Sequence, residues 1–333
     1  MEPIPPSPEL TRGRLSWQRG IPRASLSRQL IADAALLLVT LIWGSTFVMV
    51  KDAVARYPVF SFLALRFTCA ALVLLPFVLW QPRGRNSSTG TEGLQTGDRN
   101  SAWAGTAISL RQGFPWLASL LIGSALFAGY GFQTLGLRLT TPAKAGFITG
   151  LSVVIVPLVA ALLLHQPAGR RVWLGVAFAT AGLALLTLQP GLQVEPGDLL
   201  VLGCALSFAG HILLTGRFAP RHHPLMLTLG QVVVVAALSA AVALAFEVRP
   251  PLSLHVLMAA LFTGVLATSV AFGTQTIAQR FTTSTHTALI FAAEPVFAAL
   301  FSFLLVGEKL GPQQLAGCGL ILAGMVVAEI KRR

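Results

Sequence analysis

The sequence predicts an all-α fold: a polytopic membrane bundle of ten transmembrane helices, arranged as two inverted five-helix repeats. Three observations predict it. First, mean hydropathy is +0.74, with 54% of residues hydrophobic and 11% charged, too little polar surface for a soluble chain of 333 residues. Second, ten apolar stretches run at 33–50, 59–80, 114–136, 143–164, 171–188, 198–216, 224–246, 254–278, 284–306 and 311–330. Each approaches the roughly 20 residues that a helix needs to cross a bilayer core about 30 Å thick. Third, the second five stretches repeat the first five. At an offset of 142 residues, Gln133-Thr134 meets Gln275-Thr276, Arg138 meets Arg280, and Thr140-Thr141 meets Thr282-Thr283. Further on, Gly169 meets Gly311, Gly175 meets Gly317, and Ala181-Gly182 meets Ala323-Gly324. A block with an odd number of spans must enter the membrane from opposite sides in its two copies.

The elements follow in order. Residues 1–29 are rich in proline and arginine and hold no apolar core ahead of a cleavage site. They read as a disordered tail rather than a cleaved signal peptide, with span one as an uncleaved insertion signal. The first repeat covers 33–188 and the second 198–330. Residues 81–113 are the one long connection, rich in Gly, Ser, Thr and Asn and too polar to order by burying apolar surface. Ahead of that loop the register shifts to 165: Asp33 meets Asp198, Thr46 meets His211, and Arg66 meets Gln231. The extra length of the loop accounts for the shift. No alternation of the kind a membrane β-barrel needs is present.

Net charge is +12. With a cytoplasmic N-terminus, the inner segments hold Arg12, Arg14, Arg19, Arg23, Arg28, Arg83, Arg85, Arg99, Arg111, Arg170, Arg171, Arg217, Arg221, Lys309, Lys331, Arg332 and Arg333. The outer segments hold Lys51, Arg56, Arg138, Lys144, Arg249 and Arg280. The positive-inside rule therefore expects both termini in the cytoplasm. The basic excess sets topology and touches lipid headgroups. Nucleic acid is not an expected partner, because no basic patch is interleaved with aromatics. Cys69, Cys204 and Cys318 each fall within a span at no metal-ligand spacing and read as packing residues. No metal and no cofactor are expected.

Inverted repeats are the architecture of secondary carriers, which bind their solute between the halves near the bilayer midplane. Particular residues add a resemblance. Span one carries Trp43-Gly44-Ser45-Thr46-Phe47-Val48 and then Lys51, and span two carries Leu65-Arg66-Phe67. Span nine carries Glu294-Pro295-Val296-Phe297-Ala298-Ala299-Leu300 and ends in Gly307-Glu308-Lys309. In this order, over roughly 33–330, the chain resembles the drug/metabolite transporter (DMT) superfamily, in particular its ten-helix EamA-like branch. The resemblance implies an inner-membrane permease for small organic solutes, often an exporter, and names no substrate. The halves are unequal: Ser152 stands opposite Glu294, and Gln166 opposite Glu308.

Glu294 is the sharpest candidate for solute recognition or proton coupling. A charge midway along a span costs roughly 3 kcal/mol on insertion scales, so it must be protonated, paired or facing an aqueous cavity. Pro295 lacks an N–H and clashes with the carbonyl of Phe291, a break tolerated where it lines a cavity or packs on protein. Arg66 offers a planar fork to a carboxylate or phosphate, pairs with Glu294, or snorkels to the outer interface. Gln231 is its uncharged counterpart. His211 is either a proton-coupling group or a hydrogen-bonded packing residue. Trp43, Ser45, Thr46 and Phe47 cluster in span one, either as a cavity wall or as ordinary helix packing. Gln133 and Gln275 need hydrogen-bond partners and either lock helices or line the cavity, with Tyr130 one turn before Gln133. Gly175, Ala179 and Gly182, with Gly317, Ile321 and Gly324, make close-approach faces, within the bundle by default and in a homodimer as the alternative.

The expected function is alternating-access carriage of amino acids, amines or similar metabolites and drugs. The expected partners are a small-molecule substrate and membrane lipids. No GxxxxGK[ST] loop is present, so ATP does not drive this chain directly. The alternatives are a flippase for lipid-linked head groups and, further off, an intramembrane enzyme, for which no Ser–His pair or HExxH pattern is present.

Overall fold

The fold is described from a computed structural model. It describes residues 26–80, 114–187 except 137, 141 and 167, and 194–329 except 249, 308 and 309. The tail 1–25 and the long loop 81–113 lie outside the described residues. So do Arg249, Glu308, Lys309 and the C-terminal basic residues, and the side chains of Phe47, Lys51 and Lys144.

Every described element is helical, because in lipid a chain has to satisfy its own backbone. The helices are α1 (Leu26–Arg56), α2 (Val59–Leu79), α3 (Trp116–Gly136), α4 (Pro142–Gly150), α5 (Ser152–Leu162), α6 (Arg170–Thr187) and α7 (Pro196–Phe218). They continue with α8 (Pro224–Phe246), α9 (Leu254–Phe262), a π-helical stretch (Thr263–Val270), α10 (Ala271–Ala278), α11 (Ser284–Phe291), α12 (Glu294–Val306) and α13 (Pro312–Glu329). Eight membrane-length apolar spans arise from them, three made of consecutive pieces, and Pro312–Ala328 is a shorter apolar helix.

Three expectations are corrected. Residues 26–29 belong to α1 rather than to the tail, since Leu26 to Ile31 contains no breaker ahead of the apolar run. Span four, expected as one stretch over 143–164, is two helices that meet at Leu151. Arg280, expected on the same side as Arg56 and Arg138, lies instead at the end of the bundle that carries Arg217 and Arg221. It lies beside His223, whose imidazole is held below its usual range first by burial and then by the Arg280 charge. His223 stands at the N-cap position of α8, at the end of the bundle that carries Arg217 and Arg221. The crossing Leu254–Ala278 returns the chain to that side.

The duplication is visible in the packing. α3 packs on α7 and α8, and its counterpart, α9 through α10, packs on α1 and α2. α4 and α5 pack on α7, as α11 and α12 pack on α1. The counterparts α2 and α8 pack on each other, as do α6 and α13. Both of these pairs run antiparallel. Gly175 opposes Gly324 while Gly182 opposes Gly317, and the end of α8 meets the start of α2. The two copies therefore point in opposite directions. The four glycines bring α6 and α13 together inside the molecule: a Cβ on Gly182 would fall 2.6 Å from the Gly317 carbonyl oxygen.

Two polar clusters tie the halves together at the end opposite Arg280. The Glu247 carboxylate accepts from the Phe60 N–H at 2.9 Å, the Ser61 N–H at 2.7 Å and the Ser61 hydroxyl at 2.8 Å. It thus satisfies the orphan donors at the start of α2 with a negative charge at the positive end of the helix. Replacing Glu247 by Ala should cost about 1 kcal/mol, read as a lower thermal unfolding midpoint in detergent. An unchanged midpoint would mean that water caps the helix as well. Asp52 on α1 bonds Arg56 at 3.0 Å and His255 of α9 at 2.7 Å. Arg56 first, then His255, hold its carboxyl below the usual range. This network is exposed, so it directs the contact more than it stabilises it.

Candidate functional site

The fourth span of each repeat breaks at the same repeat position. α5 begins with Ser152 and α12 begins with Glu294, the pair that the repeat alignment sets opposite each other. In the second half Ala292 and Ala293 form the turn, and the Phe297 N–H returns to the Ala293 carbonyl. Pro295 occupies the first turn of α12, where its missing N–H costs nothing. Glu294 is thereby placed midway along the Ser284–Val306 crossing, at the positive end of a half-helix.

The Glu294 carboxylate is partly exposed, although it sits in the interior of the bundle. No hydrogen bond or ion pair joins it to a described residue. It lies within electrostatic reach of Arg66, Tyr130 and Cys204. Arg66, 3% exposed, is anchored on three sides. Its Nε donates to Thr268 Oγ1 at 2.8 Å, and its Nη2 donates to Tyr130 Oη at 3.3 Å and to the Ala267 carbonyl at 3.4 Å. Its guanidinium carbon stands 5.2 Å from the Tyr130 ring centre. A carboxylate and a guanidinium from opposite halves thus share one interior region without forming an ion pair.

Aromatic rings wall this region. Tyr130 packs edge-on to Phe67 and Phe208, with centroids 5.4 and 5.5 Å away. Trp43 packs against Phe291 at 4.9 Å and Phe272 at 5.5 Å, and its indole N–H donates to the Ala267 carbonyl at 2.9 Å. The hydroxyls of Ser45 and Thr46 return to their own helix, on the Ile42 and Trp43 carbonyls. Phe47's side chain lies outside the described residues.

A second polar group lies beside the first. His211 Nε2 is 2.8 Å from Gln231 Oε1, and Gln231 Nε2 donates to Thr276 Oγ1 at 3.3 Å. Thr276 Oγ1 gives its own proton to the Phe272 carbonyl at 2.7 Å. That order fixes the amide: Thr276 accepts from Gln231, so the Gln231 oxygen faces the imidazole. His211 must then carry its proton on Nε2, leaving Nδ1 as an acceptor. Gln231→Leu should release this tautomer, read in ¹⁵N spectra of histidine-labelled protein with His211→Asn as the assignment control. An unchanged tautomer would separate Gln231 from His211.

Gln275 and Gln133, equivalent by repeat, differ in place. Gln275 is buried and donates to Gln279 Oε1 at 3.1 Å, while Gln133 is half-buried without a hydrogen bond to a described residue. The lock between helices comes from Gln279, whose Nε2 donates to the Ile212 carbonyl of α7 at 2.9 Å. Cys204 is buried, and no cluster of three His, Cys, Asp or Glu stands together among the described residues.

The sequence profile of the EamA-like transporter family matches residues 30–188 and 195–329. The chain belongs to that family. An uncharacterized transporter of Archaeoglobus fulgidus is 34% identical over 304 residues, 91% of this chain and 87% of its own. The uncharacterized transporter YyaM of Bacillus subtilis is 26% identical over 88% of this chain and 92% of its own. The uncharacterized inner membrane transporter YedA of Escherichia coli K12 is 27% identical over 53% of this chain and 50% of its own. One crystal structure has the same fold, with a TM-score of 0.72 at 22% identity, over 93% of this chain and 99% of that one. This EamA-like protein is thus a multi-pass membrane transporter, and these relatives point away from enzymatic chemistry.

Sequence reasoning missed several residues of the site, among them Thr268, the Ala267 carbonyl, Phe272, Thr276 and Gln279. The available signal was a hydroxyl pair, Thr268-Ser269, in a span that also holds Thr263, Thr274, Gln275 and Thr276.

Proposed function

We propose that this EamA-like protein is a secondary carrier that exports small organic metabolites or drugs, amino acids and amines among them. Its central cavity opens alternately to either side of the cell membrane, and both termini are cytoplasmic. A proton gradient supplies the power. The observation that carries this reading is Glu294: a carboxylate with no ion-pair partner among the described residues, at a helix break midway across the bundle, within electrostatic reach of Arg66 and Tyr130 from the other half. Such a group takes up a proton or a solute ammonium when the cavity faces one side and gives it up on the other. Arg66 supplies the complementary charge, and the Trp43, Phe272 and Tyr130 rings cover the apolar part of the solute.

The test is flux into liposomes that contain only the purified protein. The panel would include amino acids, amines, nucleosides and dyes, with L-phenylalanine and phenethylamine as a pair that differs by one carboxylate. A pH gradient should accelerate the movement of at least one solute. Failure of every aqueous solute to move would overturn the reading and favour lipid-linked substrates.

A further inference from the structure

Span eight is an α-helix only at its ends. Thr263–Val270 is π-helical, whereas its repeat counterpart, 121–128, lies within the uninterrupted α-helix α3. Side chains mark the wider turn. Thr268 Oγ1 donates to the Thr263 carbonyl at 3.1 Å, and Ser269 Oγ to the Gly264 carbonyl at 3.0 Å, each five residues back. Ser269 Oγ also reaches the Ala70 carbonyl of α2 at 3.1 Å. Gly264 lets the turn lie on α2, since a Cβ there would fall 2.7 Å from the Arg66 carbonyl oxygen. π turns cluster at functional sites, and this one faces the single buried arginine of the site.

The contacts of that arginine are unequal. Thr268 Oγ1 has given its proton to Thr263, so it accepts from Arg66 Nε at 2.8 Å. The two hydrogens on Nη2 go to Tyr130 Oη and to the Ala267 carbonyl. The Trp43 indole shares that carbonyl. The Nε/Nη2 edge, the side-on fork with which arginine grips a carboxylate, is therefore occupied by protein. Nη1 is the one nitrogen of the guanidinium with no bond to a described residue. The repeat gives independent support. Arg66 of the first half and Thr268 of the second stand opposite Gln231 and Leu126, so the repeat-equivalent pair lacks both the charge and its holder.

We propose that Thr268, set by the π turn, is a positioning residue: it holds Arg66 so that only Nη1 is offered, and a solute carboxylate docks end-on. This rests on the carrier reading above and narrows it to solutes that bear a carboxylate. Thr268→Val keeps the shape and deletes the acceptor, whereas Thr268→Ser keeps the acceptor. In liposomes, Thr268→Val should raise KM for L-phenylalanine about tenfold, the loss of one charge-assisted hydrogen bond, with Vmax within about twofold. KM for phenethylamine should move by less than about twofold, and Thr268→Ser should restore the wild-type KM. Equal changes for both probes, or none for either, would overturn the proposal.

A second readout does not depend on transport. The Arg66 Nε–H resonance of the purified protein, assigned with Arg66→Lys, should be protected from solvent exchange in wild type and in Thr268→Ser, and lost in Thr268→Val. Protection that survives in Thr268→Val overturns the proposal even if neither probe is carried. Protection lost without flux of either probe leaves the positioning role standing and rejects the carrier reading for these solutes.

Discussion

Replacing Glu294 by Gln is expected to abolish proton-driven flux, by about a hundredfold or more, while the protein still folds. The amide matches the carboxyl in size and hydrogen-bonding reach but neither binds nor releases a proton. Folding should survive for an energetic reason: a charge in mid-membrane costs roughly 3 kcal/mol, and Glu294 has no ion-pair partner among the described residues for its removal to break. Two measurements separate the outcomes, net flux under a pH gradient and solute exchange without one. Loss of net flux with exchange retained assigns Glu294 to coupling. Loss of both in a monodisperse protein assigns it to solute recognition. Full activity in both would remove Glu294 from the mechanism.

The second large effect is expected at the seam between α6 and α13. A Cβ at position 182 meets the Gly317 carbonyl oxygen at 2.6 Å and the Ile321 nitrogen at 2.8 Å, both backbone atoms that no side-chain rotation can move. Gly182→Val therefore has to push two helices apart, and overpacking of this kind costs about 1–3 kcal/mol. The thermal midpoint of the purified protein should fall by several degrees. Gly319 is the control, on the same α13 with open space around it, and Gly319→Ala should leave the midpoint in place or raise it slightly. Equal midpoints for the two variants would mean that the seam is not tight.

Much of the architecture was legible in the sequence, for one reason. In a bilayer a helix must be both apolar and long, so Val59–Leu79 and Pro224–Phe246 sit within a residue of where hydropathy places them. Breaks within spans were harder to see. Pro295 correctly flagged the interruption at Glu294. The matching interruption at Leu151 carries no such mark, and Pro157 lies inside α5. The π stretch TGVLATSV has the composition of an ordinary apolar helix, and its extra residue per turn is set by packing on Arg66 and Ala70. Glu294 and Arg66 stood out because charge is costly in lipid. Thr268 did not, because a threonine hydroxyl can always turn back onto its own helix and then looks inert. Thr46 does so, on the Trp43 carbonyl, and Thr268 does so while also holding an arginine.

The seam between α6 and α13 also bears on how the chain is made. α6 leaves the ribosome with its glycine face bare, and the helix that covers it, α13, follows much later in the chain. At roughly 5–20 residues per second that face waits on the order of ten seconds. A chain cut short before Pro312 would never cover it. Such truncated products would present a narrow, sticky groove to neighbouring helices in the membrane, a ready mark for quality-control proteases.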